Sequence, residues 1–121
     1  MRPKVLILLF DIKIAASSIK DYTAGITKFE DFISKKIVLR AVEKELEIIS
    51  EAIKKIENYT LNVSSKNKII GLRNRIVHDY ANTDYEIIWG VVYNHIDKLI
   101  VEIEKTISSF GINKKSPKIT Q

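Results

Sequence analysis

The long apolar-periodic stretches of this chain contain no proline. Among 121 residues there are only two prolines, Pro3 and Pro117, and four glycines. Both prolines lie outside the stretches in which apolar side chains recur every three or four positions. Proline inside a helix removes a backbone hydrogen bond and collides with the preceding turn, so its placement here favours long, uninterrupted helices. The sequence therefore predicts an all-α fold.

Apolar periodicity predicts three long helices and one shorter helix. The long helices are expected over about 4–22, 36–58 and 83–110, the shorter one over 66–79, and a short extra helix over 29–34. Connections are expected at 23–28, which contains Gly25, and at 58–65. Thr83 followed by Glu86 is a capping-box pattern for the last helix. An up-and-down four-helix bundle is the expected architecture.

The distribution of side chains around each predicted helix indicates which faces are buried. The first helix is apolar around more than half its circumference, which predicts burial on two sides and surface left for a symmetric dimer. The short helix is expected to place Phe29, Phe32 and Ile33 on the bundle. The acidic side chains of the second long helix are expected to form a solvated face; they are Glu43, Glu45, Glu47 and Glu51.

Length and composition predict one domain, a helical bundle over 1–110 followed by a flexible basic tail over 111–121. Apolar residues make up 45% of the chain and the mean hydropathy is −0.03, values that predict a soluble globule with no membrane partner. The early apolar run from Val5 to Phe10 is too short for a signal-peptide core, so a cytoplasmic location is expected. The absence of cysteine excludes disulfides and thiolate metal sites.

The formal net charge is +5, and three of these charges are lysines of the last eleven residues. A second basic group lies at 66–80, which contains four basic residues and one acidic residue: Lys66, Lys68, Arg73, Arg75 and Asp79. Such an excess can steer an anion towards a site. An ordinary solvated helix face explains the same pattern equally well.

The densest group of chemically active side chains is the stretch "GLRNRIVHDY" at 71–80. At 100° per residue, Arg73 and His78 would lie about 140° apart on one straight helix, whereas Asn74 aligns with His78 and Tyr80 aligns with Arg73. One straight helix therefore does not direct Arg73 and His78 at one small target. Either the helix ends near His78, or two copies of the stretch meet across a dimer axis.

Arginine and histidine together suit the cleavage of RNA without a metal. The guanidinium of Arg73 can hold phosphate oxygens at any physiological pH, and His78 can exchange protons near neutrality. Histidine would activate a 2′-hydroxyl or protonate the leaving oxygen. No acidic cluster for magnesium lies near them, so no cofactor is expected. In the alternative interpretation, Arg73 pairs with a carboxylate and His78 caps helix carbonyls.

The segment "RNRIVHDY" has the pattern arginine, polar residue, three residues, histidine, one residue, tyrosine. With the flanking segments "LEIISEAIKKI", "IIGLRN" and "YEIIW" in the same order, it resembles the HepT-like branch of the HEPN superfamily over roughly 5–107. The resemblance implies a dimeric helical bundle with a composite, metal-independent ribonuclease site built from two motif copies. It also implies a toxin whose partner is an antitoxin of the minimal nucleotidyltransferase fold.

The resemblance also implies a role for each motif residue. Arg73 and His78 would be catalytic, with Asn74 as the supporting polar position. Tyr80 would be the residue to which such antitoxins add AMP, which would place negative charge where RNA phosphate binds. Arg75 is a candidate RNA contact, with an ordinary surface role equally open. Lys68 is a further RNA-binding candidate.

The remaining candidates have structural interpretations. His95 is expected to be a packing or interface histidine, and two histidines seventeen residues apart do not predict a metal site. Trp89 is expected to anchor the core or a dimer rather than to stack on a base. Two other functions stay open: a non-catalytic helical module that docks a nucleotidyltransferase partner or a nucleotide, and a plain dimeric scaffold.

Overall fold

The computed structural model describes residues 3–56 and 85–109, and these ranges contain helices and turns but no strand. The four helices are α1 (Pro3–Tyr22), α2 (Phe29–Ser34), α3 (Lys36–Lys55) and α4 (Tyr85–Ser108). The predicted all-α bundle is confirmed. None of the helices in the described ranges is long and apolar enough to cross a membrane.

Helix α1 is the centre of the described bundle, because it packs against both α3 and α4. Two ion pairs show that α1 and α4 run antiparallel. Lys13 Nζ lies 3.6 Å from Glu104 Oε2. Lys20 lies two turns further along α1, and its Nζ is 2.5 Å from Oδ1 of Asp97, which lies two turns earlier in α4 than Glu104. The burial on two sides predicted for the first helix is confirmed.

The core follows the predicted three-and-four spacing of apolar residues. The fully buried leucine and isoleucine side chains of the three long helices are Leu9, Ile12, Ile19, Leu46, Ile49, Ile53, Ile88, Ile96, Leu99, Ile103 and Ile107, and Ile56 directly after α3 is fully buried as well. Burial of each such side chain contributes about 1.5–3 kcal/mol relative to exposure. Val38 and Val92, which belong to the same apolar pattern, are only half-buried and lie at the margin of the core.

Helix α2 matches its predicted bounds but has a narrower buried face than expected. Phe32 is fully buried and Phe29 is half-buried, whereas Ile33 is 41% exposed. The expectation that Ile33 lies on the bundle is wrong. Consecutive helical residues point about 100° apart, so a helix that directs Phe32 at its neighbours turns Ile33 away from them.

The helix boundaries agree with the predictions at α1 and differ at α3. Helix α1 begins at Pro3, a favourable first position because proline lacks the amide hydrogen that would be unpaired there. The turn after α1 contains Gly25 with φ of 82°, a conformation that favours glycine. Helix α3 ends at Lys55, before the predicted end at residue 58, and Ile56 caps it with its amide bonded to the Ala52 carbonyl at 3.2 Å.

The acidic side chains of α3 do not form the predicted solvated face. All four are half-buried, namely Glu43, Glu45, Glu47 and Glu51. The Tyr22 hydroxyl donates a hydrogen bond to Glu45 at 3.0 Å. Glu47 lines a groove between α1 and α3. The expectation is wrong because both flanks of α3 face a neighbouring helix, so its acidic side chains lie along the helix boundaries instead of pointing into open solvent.

Candidate functional site

All the motif residues predicted from the sequence lie in 57–84, outside the described residues. They are Arg73, Asn74, Arg75, His78, Tyr80 and Lys68. Their arrangement stays a prediction, as do the helix at 66–79 and the Thr83 cap. The structure describes the two points between which this segment runs: the end of α3 and the beginning of α4.

These two points lie at different heights along α3. The end of α3 lies beside the beginning of α1, because Lys55 and Leu8 line the same groove. At the beginning of α4, the Tyr85 hydroxyl donates a hydrogen bond to Glu43. Glu43 lies thirteen residues before Ile56, which is about 20 Å along a helix. Residues 57–84 therefore connect the end of α3 to a point beside its first half.

A small polar cluster holds the beginning of α4 against α3. Partial burial raises the pKa of Glu43, and the nearby Arg40 and the Tyr85 hydroxyl oppose that rise. Burial also raises the pKa of Tyr85, as does the charge of Glu43, so Tyr85 keeps its proton and donates at neutral pH. The cluster fixes the residue at which the chain re-enters the described bundle after the motif.

Aromatic residues pack beside this cluster. The Trp89 ring lies 4.9 Å from the Phe32 ring and 5.4 Å from the Tyr93 ring, between centroids. Trp89 is half-buried against the core, which confirms its expected role as a core anchor. His95, the histidine within the described ranges, is half-buried in the middle of α4, as expected of a packing residue.

Sequence reasoning missed the contribution of Tyr85 and its neighbours. The signal was present, because Tyr85, Trp89 and Tyr93 follow one another at intervals of four residues and so lie along one side of α4. The contact with Glu43 had no comparable signal, because it joins residues forty-two positions apart. Within 3–56 and 85–109, no group of three or more histidine or acidic side chains could hold a metal ion.

Comparison with known proteins gives consistent matches. A family model described as ribonuclease HepT-like matches residues 12–106, a range that includes the whole 71–80 motif. A candidate RNase of Methanocaldococcus jannaschii is 35% identical over 102 residues, covering 82% of this chain and 84% of that protein.

Two further relatives come from other organisms. A protein of Thermococcus cleftensis named probable ribonuclease HepT is 33% identical over 100 residues, covering 80% of this chain and 90% of that protein. A candidate RNase of Caldanaerobacter subterraneus is 32% identical over 82 residues, covering 65% of this chain and 73% of that protein. No solved structure matches the chain.

Proposed function

Since this chain belongs to the HepT-like ribonuclease family of the HEPN superfamily, we propose that it is a metal-independent endoribonuclease whose catalytic residues are Arg73 and His78. The observation that carries the proposal is the extent of the family match, which runs from within α1 to near the end of α4 and includes the motif between them. The relatives that share this length carry ribonuclease names.

The proposed reaction is an internal displacement at phosphorus. His78 takes the proton of a ribose 2′-hydroxyl, and the 2′-oxygen forms a bond to the adjacent phosphorus as the bond to the 5′-oxygen breaks. The leaving 5′-oxygen takes a proton from water, which gives a 5′-hydroxyl and a 2′,3′-cyclic phosphate, and protonated His78 returns its proton to the solvent. Arg73 binds the non-bridging oxygens and stabilises the charge that develops on them. Asn74 supports the site, and Arg75 and Lys68 are proposed contacts to the RNA backbone.

Covalent geometry limits how far the motif can lie from the described bundle. Tyr80 precedes Tyr85 by five residues, and five residues span at most about 18 Å. The same limit for His78 is about 25 Å. Chain connectivity therefore keeps Tyr80 and His78 within these distances of Tyr85, and we propose that the site lies beside it.

We further propose that the site is completed by a second copy of the chain. Arg73 and His78 do not converge on a straight helix, so a composite of two motif copies brings them together more readily. An apolar surface suited to a second copy is present on α1, where Ile7 is 57% exposed and Ile14 is 50% exposed. These residues are seven apart and lie on one face of α1.

A role as the toxin of a toxin–antitoxin pair is part of the proposal. An antitoxin of the minimal nucleotidyltransferase fold would neutralise the enzyme by covering the site or by adding AMP to Tyr80. The added phosphate would compete with RNA phosphate for Arg73 and would fill the space beside it. Family membership supports this part of the proposal.

The experiment that tests the activity is cleavage of a labelled RNA in EDTA. The chain has two histidines, so His95→Ala is a matched control for His78→Ala. Wild type and His95→Ala should cleave, and His78→Ala should lose about 100- to 10,000-fold in rate. Equal cleavage by wild type and His78→Ala would contradict the catalytic assignment. Failure of all three, from folded dimers unmodified at Tyr80, would favour the non-catalytic binding module.

A further inference from the structure

The most exposed aromatic side chain in the described part of the chain packs against another aromatic ring. Tyr93 is 61% exposed, and its ring lies 5.4 Å from Trp89 with 36° between the ring planes. Trp89 in turn lies 4.9 Å from the fully buried Phe32, with 33° between the planes. Two rings thus support a third ring that points into solvent.

The surface next to Tyr93 is open. Gly90 lies three residues earlier on α4, so the two are neighbours on the helix surface. Among the described residues, a Cβ atom built on Gly90 has no heavy atom within 4 Å apart from its chain neighbours and the backbone of its own helix. One turn beyond Tyr93, Asp97 Oδ1 pairs with Lys20 Nζ at 2.5 Å. The surface therefore offers an exposed aromatic ring beside a position that carries no side chain.

We propose that Tyr93, supported by Trp89 and open on its Gly90 side, stacks on an unpaired base of the RNA substrate. This proposal rests on the proposed ribonuclease function. Base stacking on aromatic side chains is the general way in which proteins bind single-stranded RNA without a charged contact.

The position of Tyr93 suits this role. It lies eight residues after Tyr85 on the same helix, about 12 Å along the axis. Tyr85 is the residue to which the motif segment is tethered, so a strand of a few nucleotides can extend from the proposed catalytic site to Tyr93. A stacked base at that point would favour single-stranded RNA over duplex, whose bases are already paired and stacked.

Trp89 provides a direct readout, because it is the only tryptophan of the chain and it contacts Tyr93. The experiment uses full-length His78→Ala, which should bind RNA without cutting it, and a single-stranded RNA of twelve nucleotides. Titration should change the Trp89 emission. An abasic oligomer with the same number of phosphates should bind through charge alone and leave the emission nearly unchanged.

Four further variants in the same inactive background separate stacking from folding. Tyr93→Ala should weaken RNA binding about 5-fold or more, whereas Tyr93→Phe should keep the affinity. Gly90→Gln should fold at least as well, because glutamine is a better helix former, but its side chain should occupy the space of the base and weaken binding. Val101→Ala, at a 48% exposed site further along α4, is the surface control. The loss in Tyr93→Ala should be similar at low and high salt.

Each contrary result has a distinct meaning. Unchanged RNA affinity in Tyr93→Ala and Gly90→Gln, with wild type active on RNA, would overturn the stacking proposal and leave the proposed function intact. A Tyr93→Ala variant that is monomeric where the wild type is dimeric would identify this surface as an interface between copies. That result would also overturn the stacking proposal. Absence of RNA binding by folded His78→Ala, together with an inactive wild type, would reject the function and this inference together.

Discussion

At the scale of single residues, the contact between Glu43 and Tyr85 shows how burial changes a side chain's behaviour. Partial burial raises the pKa of Glu43 from its ordinary value of 4.5. The folded protein therefore holds a proton on this carboxyl more tightly than the unfolded chain does. Between pH 4.5 and the raised folded value, the unfolded state loses that proton first, so this group makes the free energy of unfolding fall as pH rises.

Glu43→Gln tests this linkage, because glutamine keeps an oxygen that accepts from Tyr85 and does not titrate. We expect the free energy of unfolding of the variant, relative to wild type, to increase as pH rises from about 4.5 to neutrality. Urea denaturation at a series of pH values measures it. Glu30→Gln, at an exposed position of α2, is the control and should show no comparable trend. The opposite slope would mean that Glu43 is stabilised in its charged form.

The sequence predicted a solvated acidic face on α3, and it did not predict that these glutamates are half-buried. Glutamate at helical spacing is usually solvated, and nothing local distinguishes Glu43 from its neighbours. Its hydrogen-bond partner Tyr85 comes from a distant part of the chain. Trp89 was easier to predict, because a tryptophan within an apolar periodic segment is costly to expose.

At the scale of helices, α2 carries more of the packing than its six residues suggest. It contacts both α3 and α4, and Phe32 is its fully buried side chain. The ring of Phe32 also supports Trp89. Removal of that ring would separate α2 from the two helices that it joins.

Phe32→Ala should lower the free energy of unfolding by about 3–5 kcal/mol, the usual cost of deleting a buried aromatic ring. Ile33→Ala, the next residue and 41% exposed, should change it by about 0.5 kcal/mol or less. Chemical denaturation followed by Trp89 fluorescence measures both. Similar losses in the two variants would show that α2 does not pack in the orientation described.

Helices α1, α3 and α4 were predictable because their apolar spacing persists over five turns or more. The end of α3 was not, because no glycine or proline marks it. The buried Ile56 side chain continues the apolar pattern past the last helical residue, so the pattern alone extends the helix too far.

At the scale of the whole molecule, α1 is covered on two sides and exposes Ile7 and Ile14 on a third. If this surface is the proposed dimer interface, a charge at its centre should disrupt it, because an unpaired charge is costly to bury. Ile14→Glu should therefore shift the protein from dimer towards monomer and reduce RNA cleavage.

The control is Ile37→Glu, at an 87% exposed position near the beginning of α3, which should stay dimeric. Light scattering across a dilution series measures the masses of both variants. Dimers of equal stability in the two variants would exclude the Ile14 face as the interface.

The candidate catalytic residues could be predicted from the sequence, because arginine, histidine and tyrosine at fixed spacing form a compact motif at 71–80. The family match then places this chain among the HepT-like ribonucleases. Whether Arg73 and His78 converge on one target could not be predicted in the same way. It depends on where a helix ends or on a second copy of the chain, and local spacing reports neither.

The most direct test of the central claim is the role of the 2′-hydroxyl in metal-free cleavage by the wild-type protein. A labelled RNA and the same strand with one 2′-deoxy nucleotide at the principal cleavage site are incubated with the enzyme in EDTA. We predict that the RNA is cut there to a 2′,3′-cyclic phosphate and a 5′-hydroxyl, and that the 2′-deoxy position is not cut. Cleavage at the 2′-deoxy position, or products that end in a 3′-hydroxyl, would contradict the proposed mechanism.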